Sequence, residues 1–333
     1  MSRVPRGSLP RRRDVLALAL YLAASSRAHA QADYPDHPIK LVVPFTPGGV
    51  NDTIGRLWCD RMKAPLGASF IENMGGAGGM AGSAAVARSK PDGHTLLLGS
   101  TGPQVLAPLM TEHAPYDVTR DFAPITMIGL TSLAVLVNPA VPATTLPALV
   151  DYARAHPDKL SYGSTGVGTM AHVSGELFKS VTGLSDIIHV PYKGSGPLLG
   201  DLISGHVPLG MLSVTAQVLD LHRAGKLRVL VVMAERRTAA APDIPTASEG
   251  GIPGLIAQNF YALLAPARTP DGVIDRIAAA TRTAMADEAF RRTLAGAGVE
   301  TDVEPGPDRA RRFLQDEITR WSPLMKTIGL RVD

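Results

Sequence analysis

Short apolar runs alternate with Ala-rich amphipathic stretches along most of this 333-residue chain, and that rhythm limits the fold more than any other feature. Apolar runs without a polar face need cover on both sides, and the amphipathic stretches between them supply it. The expected result is a mostly parallel sheet with helices on both faces. In the first part, strands are expected at residues 39–45, 69–72 and 95–99, with helices opening near Asn51, Met80 and Pro103. A β-rich run over 125–137, without a strong breaker, carries the chain onward. There a helix capped by Thr145 begins a second series, with strands at 160–162, 187–192, 207–212 and 227–233 and helices at 169–181, 197–204 and 215–224. A further β run at 257–264 returns the chain, and helices at 270–287, 288–295 and 308–328 end it. Two α/β lobes joined by two crossings follow, one from residues 34–131 with 257–333 and the other from 132–256, the last helices packing on the first lobe.

Residues 1–30 have the three parts of a secretory leader: arginines up to Arg13, an apolar run from Val15 to Ala24, and Ala28-His29-Ala30 as the cleavage site. Arg12-Arg13 also fits a twin-arginine signal, which leaves the export route open. The leader distorts the charge balance. It holds six of the 33 basic residues and one of the 30 acidic ones, leaving 27 basic and 29 acidic residues in the mature chain. A net charge of −2 removes the basis for nucleic-acid binding. The one cysteine, Cys59, lies within an apolar helical pattern, as a buried thiol would, and it has no partner for an internal disulfide.

Residues 41–56 join a buried strand to a helix through Thr46-Pro47-Gly48-Gly49, with Asn51 or Asp52 placed to cap the helix through a side-chain oxygen. Unpaired N–H groups and the positive end of the dipole make such a helix start an anion site, although an ordinary βα turn has the same composition. Related small-polar loops recur at 99–102, 163–169 and 193–196. Backbone N–H groups and hydroxyls of this kind hold a carboxylate and release it without chemistry.

Rival chemistries lack their partners. The glycine runs at 76–79 and 166–168 have no acid at the end of the next strand, as a dinucleotide site requires. Ser100 and Ser164 follow strands but lack the glycine two residues before that a nucleophile elbow needs. His172 falls one turn into a helix, nearer to capping or packing than to a triad. The histidines are scattered, with neither H-E-x-x-H nor C-x-x-C, so no metal site and no cofactor are expected.

Several segments together match a known family. Tyr34-Pro35 with Pro38–Gly49 and Asp52, Pro91-Asp92-Gly93-His94-Thr95, Tyr116-Asp117 with Asp121-Phe122, residues 162–169 with His172, and residues 189–194 resemble the Bug (TctC-like) receptors of tripartite tricarboxylate transporters. The resemblance covers essentially the whole mature chain. It implies a type II periplasmic-binding-protein fold, an α/β architecture of two Rossmann-like lobes joined by two crossover strands and closing on a ligand like a flytrap. It also implies a periplasmic location, a monomer, no catalysis, and delivery of a dicarboxylate, amino acid or aromatic acid to membrane permease subunits. Carried onto this chain, the contacts fall on Thr46, Pro47, Gly48, Gly49, Asn51, Asp52, Ser100 and Thr101 in one lobe. In the other they fall on Ser164, Thr165, Gly166, Gly168, Thr169 and His172, with Tyr192, Lys193, Gly194 and Ser195 nearby. Asn51 and Gly102-Pro103-Gln104 depart from the family pattern where the variable end of a ligand would lie. The alternatives are an exported hydrolase using Ser100 or Ser164 in the same cleft, and a ligand sensor for a membrane regulator.

Overall fold

The element that organises the molecule is β4 (Phe122–Val137), a 16-residue strand whose two halves pair with different partners. The computed structural model describes residues 34–301 and 305–328, so the expected leader over 1–30 lies outside the described residues. Before β4 come β1 (Ile39–Val43), α1 (Val50–Leu66), β2 (Ser69–Asn73), α2 (Met80–Ala87), β3 (Thr95–Ser100), α3 (Ala107–Met110) and α4 (Val118–Asp121). After it come α5 (Leu146–Ala155), β5 (Ser161–Ser164), α6 (Met170–Thr182), β6 (Ile188–Pro191), α7 (Ser195–Ser204), β7 (Leu209–Ser213), α8 (Ala216–Arg223) and β8 (Arg228–Val232). The chain ends in β9 (Gln258–Pro266), α9 (Asp271–Ala286), α10 (Glu288–Gly296), β10 (Glu300–Thr301) and α11 (Pro307–Ile328).

The strand order is β2-β1-β3-β9-β4-β7-β5-β6, with β8 and β10 also pairing with β4. Among the described strands, parallel pairing of one strand with another is confined to the two ends, β2/β1/β3 and β7/β5/β6. The middle is antiparallel: β9 runs against both β3 and β4, and β4 runs against β7 and β8. This corrects the expectation of a mostly parallel sheet. The outgoing and returning crossings lie side by side and therefore point in opposite directions, an arrangement that the apolar content of the two runs does not encode.

Irregular pairing at Pro124/Thr126 and Met127/Gly129 interrupts the β4–β9 ladder, and bulges of this kind bend a strand. Gly129 is required at the second irregularity. Its φ is +158°, and a Cβ there would lie 2.3 Å from the Glu300 carbonyl oxygen of β10, a two-residue strand with no apolar run to announce it.

The long helices bury faces at helical spacing. In α1, Ile54, Trp58 and Met62 are fully buried against the sheet, while Arg61, one residue off that face, is exposed. Trp58 Nε1 donates to Thr281 Oγ1 (3.0 Å), which ties α9 to α1 and places this C-terminal helix on the first half of the sheet. Cys59 is a buried free thiol, and burial pushes its pKa up to about 11. The helix expected near Pro103 opens instead as a π turn over Gly102–Leu106 before continuing into α3.

Candidate functional site

Five helices begin around one cavity of about 1050 Å³ between the two halves of the sheet. Gly49, Gly79, Thr169, Gly194 and Thr215 are the N-caps of α1, α2, α6, α7 and α8, and each lines the cavity. Their capping chemistry differs. Thr169 and Thr215 accept hydrogen bonds from His172 N–H and Val218 N–H through their own hydroxyls, which partly satisfies their helices. Gly49, Gly79 and Gly194 have no side chain to do this. Two of these helix starts, α1 and α7, one from each half of the sheet, therefore present free donors and positive dipole ends to the cavity, whereas at α2 the preceding turn already takes Met80 N–H (to the Ala77 carbonyl) and Ala81 N–H (to the Gly76 carbonyl). Its side chains are otherwise mostly small or apolar, with Lys193 as the only charged residue on the wall among the described residues.

The first loop is held from behind. Asp52 Oδ2 accepts from Gly48 N–H (3.0 Å) and Arg56 Nε (2.9 Å), and Oδ1 accepts from Arg56 Nη2 (3.1 Å) and Asn73 Nδ2 (3.0 Å). Burial opposes ionisation of this carboxyl, but Arg56, the Gly48 N–H and Asn73 outweigh it and hold its pKa below the usual Asp value. Asp52 thus fixes the Gly48–Gly49 backbone and does not line the cavity. The expected side-chain cap is also corrected. Gly49 is the N-cap, in an extended conformation, and Asp52 reaches back past it to Gly48 from within the first turn.

The second loop has a similar brace. His172 Nδ1 accepts from Gly168 N–H (3.3 Å), and the His172 ring stacks on His189 at 4.1 Å between centroids. His189 in turn stacks on Tyr162, and its Nε2 lies 2.7 Å from Ser164 Oγ. Burial, and next the neighbouring His172, push the His189 pKa down to about 4; burial also lowers that of His172. Both rings are neutral near pH 7, so the stack adds no positive charge beside the cavity. Thr165 Oγ1 donates to Thr169 Oγ1, which donates to the Gly166 carbonyl (2.7 Å).

Of the residues singled out from sequence, Thr46, Pro47, Gly48, Gly49, Asn51 and Ser100 line the cavity from the first half. Thr165, Gly166, Thr169, Lys193, Gly194 and Ser195 line it from the second. The other six sit behind the wall. Besides Asp52, Ser164, Gly168 and His172, these are Thr101, whose Oγ1 accepts from Phe260 N–H (2.9 Å), and Tyr192, whose hydroxyl donates to Asp201 (2.8 Å). The halves touch at the rim, where Thr46 Oγ1 donates to the Lys193 carbonyl (3.4 Å). A Cβ on Gly78 would lie 3.2 Å from the Val167 carbonyl oxygen across the cleft.

Sequence reasoning missed four parts of the wall, one of them the β7–α8 segment with Leu212, Ser213, Thr215, Gln217 and Val218. The loop Gly75–Gly79 was visible as a glycine run but was weighed only as a dinucleotide motif. Asn259 and Tyr261 of β9, with Leu133 of β4, line the cavity from the crossing strands. Thr293, Gly296 and Ala297 reach it from α10 and the residue after it. Neither of these last two groups carries a local turn or cap signal.

Among the described residues, one group has metal-ligand spacing: Asp36 Oδ1, His37 Nδ1 and His94 Nε2. Both ring nitrogens already face the Asp36 carboxylate (2.7 and 3.0 Å), and none of the three lines the cavity.

A family model described as "Tripartite tricarboxylate transporter family receptor" matches residues 54–330. The chain is similar to Protein BugT of Bordetella pertussis, with 34% identity over 324 residues, covering 96% of this chain and 98% of that protein. Among solved structures it is similar to "R. palustris Rpa4515 with adipate", with a TM-score of 0.84, 32% identity and coverage of 90% of this chain and 99% of the other. It is also similar to MatC from Rhodopseudomonas palustris with bound malate, with a TM-score of 0.80, 30% identity and coverage of 87% and 99%. These relatives are binding proteins and not enzymes, which overturns the hydrolase alternative. The geometry agrees for Ser164, which is fully buried behind the wall.

Proposed function

The chain belongs to the tripartite tricarboxylate transporter receptor family and is therefore a periplasmic solute-binding receptor, and we propose that its solute is a small carboxylate gripped between the two halves of the cavity. The observation that carries this reading is the convergence of two glycine-capped helix starts with free N–H groups, at Gly49 and Gly194, from opposite sides of one cavity. Donors fixed in the backbone hold an anion without a counter-charge, so the anion can also leave. Two weak half-sites, one on each side, favour the closed form through their combined contact with the ligand. The bound acids of the adipate and malate complexes are in keeping with this chemistry.

In this reading the leader is removed near Ala30 and the mature monomer moves as two lobes, 34–131 with 257–333 and 132–256. It hands its acid to membrane permease subunits. The direct test is a thermal-shift and calorimetry panel of aliphatic dicarboxylates, amino acids and aromatic acids on the mature chain. An acid at a hundred times its Kd stabilises the folded form by about 2.7 kcal/mol, which is easily detected. A panel in which no acid shifts the melt, together with no small acid seen by native mass spectrometry of the purified protein, overturns the carboxylate reading.

A further inference from the structure

The cavity does not stop at the helix starts. Val50 is the first residue of α1, and Thr53 and Leu57, one and two turns further along the same face, line the wall with it. That face carries the cavity about 10 Å past the start of the helix. Thr293 and Gly296 of α10, with Ala297 after it, extend the wall on the same side. Arg61 ties α10 to α1: it donates to Asp287, the N-cap of α10, and its guanidinium lies 5.9 Å from the centroid of the Phe290 ring. Val50, Leu57 and Ala297 are half-buried and pack on one hydrophobic core. From the other half of the sheet, Leu199, Leu212 and Val218 belong to a second packed cluster and line the same cavity. The charge on the wall, Lys193, belongs to the rim, where its carbonyl meets Thr46. The hydroxyls of Thr53 and Thr293 donate to the Gly49 and Ala289 carbonyls (3.2 and 2.9 Å), so their hydrogens are already engaged.

We infer that these two apolar strips form a subsite for an apolar tail, so that the chain takes monocarboxylates with a hydrocarbon body in preference to diacids of the same length. This rests on the proposed reading of the cavity as a carboxylate site and adds the class of acid. With the carboxylate on the free N–H groups of α1 and α7, the rest of the molecule runs along the α1 face. It lies there between Leu57 and the cluster of Leu199, Leu212 and Val218. Each methylene so placed leaves water for an apolar wall, which favours longer tails. A second carboxylate in the same place would lose its hydration with no cationic side chain to receive it. Because the strips come from opposite halves of the sheet, a tail between them also favours the closed form.

The test titrates butanoate, hexanoate and octanoate, and the diacids succinate, adipate and suberate of matching length, into the mature wild-type chain and its Leu57→Gln and Thr293→Trp variants by calorimetry. The first variant puts an amide into the strip, and the second fills the space from an exposed position on α10. Wild-type affinity is expected to rise about fourfold per methylene among the monoacids, with octanoate ahead of suberate by about tenfold or more. The ratio of octanoate to butanoate affinity is expected to fall by about tenfold in both variants. That ratio is taken within one protein, so a loss of stability does not move it. Thr293→Trp, at an exposed site, keeps the test usable where melting curves show that Leu57→Gln does not fold. Affinity that is flat with chain length, suberate binding as well as octanoate, or a slope that survives Thr293→Trp overturns the tail subsite and leaves the carboxylate reading intact. Wild type binding none of these acids, but another acid of the wider panel, has the same consequence. Binding of no acid in either set overturns the carboxylate reading, and the subsite with it.

Discussion

Asp52→Asn tests whether the first jaw of the cavity is braced from behind. The carboxylate accepts four hydrogen bonds, from Gly48 N–H and Arg56 Nε on one oxygen and from Arg56 Nη2 and Asn73 on the other. An amide of the same shape must turn its NH2 end toward one of those donor pairs, so at least two hydrogen bonds are lost and donors are left facing each other. Bonds to a charged group contribute about 1.5–3 kcal/mol each, but Arg56 is 60% exposed, so its ion pair is discounted to below about 1 kcal/mol. Gly48 N–H and Asn73 are half-buried and recover part of their loss through water. The expected destabilisation is about 2–3 kcal/mol, a fall in Tm of roughly 3–5 °C for a chain of this size. The same change frees the Gly48–Gly49 backbone, so affinity for whichever acid stabilises the wild type should fall by about tenfold. Calorimetric melting and titration measure both. Because folding lowers the Asp52 pKa, its contribution is full above the ordinary value of 3.8 and is lost as the pH falls through the lower folded value. The variant should therefore lack part of the acid limb of the stability curve. An Asp52→Asn protein that melts within about 1 °C of wild type and binds the acid equally well would refute the brace.

Three further outcomes follow from the same geometry. Gly78→Ala places a Cβ 3.2 Å from the Val167 carbonyl oxygen across the cleft at a φ of +64°, so ligand affinity should fall several-fold while the unliganded melt drops by only about 1–2 kcal/mol; equal affinity by calorimetry would show that the halves do not need this approach. Burial and His172 depress the His189 pKa to about 4, so the unfolded chain takes up this proton first as pH falls from 6.5. Stability should be full above 6.5 and decline by on the order of 2–3 kcal/mol toward pH 4, a decline that denaturant titrations should find reduced in His189→Gln. Gly175→Ala would put a Cβ 2.1 Å from the fully buried Tyr162 ring, which is stacked on His189 and unable to retreat; about 3 kcal/mol or more should be lost, and a variant melting like wild type would mean that the α6–β5 packing is looser than it looks.

The elements were legible where their signals are local. The apolar run of β1, the glycines after it and the spacing of Ile54, Trp58 and Met62 are all read within a single turn or strand, and Thr145, Thr169 and Thr215 cap the helices they precede. The candidate loops were legible as glycine and small polar residues at strand ends, although the side-chain cap expected from Asn51 or Asp52 gave way to Gly49. Less legible was which side of each loop a side chain takes. Asp52 and Asn51 are adjacent and both polar, yet Asp52 turns away from the cavity to Gly48, Arg56 and Asn73 while Asn51 stays in its wall. Asn73 lies 21 residues from Asp52, so no local pattern shows that this partner exists.

By itself, the sequence determined that strands and helices alternate and that glycine-rich helix starts recur at strand ends. It also established that no cysteine pair staples the fold. These follow from hydrophobic period and turn chemistry, which act over a few residues. Tertiary structure alone decided that the two crossings lie antiparallel at the centre of the sheet and that β10 meets Gly129. It also brought Asn259, Tyr261 and α10 to the cavity. Each of these is a contact between residues far apart in sequence, fixed by which surfaces pack together and not by what any short stretch prefers.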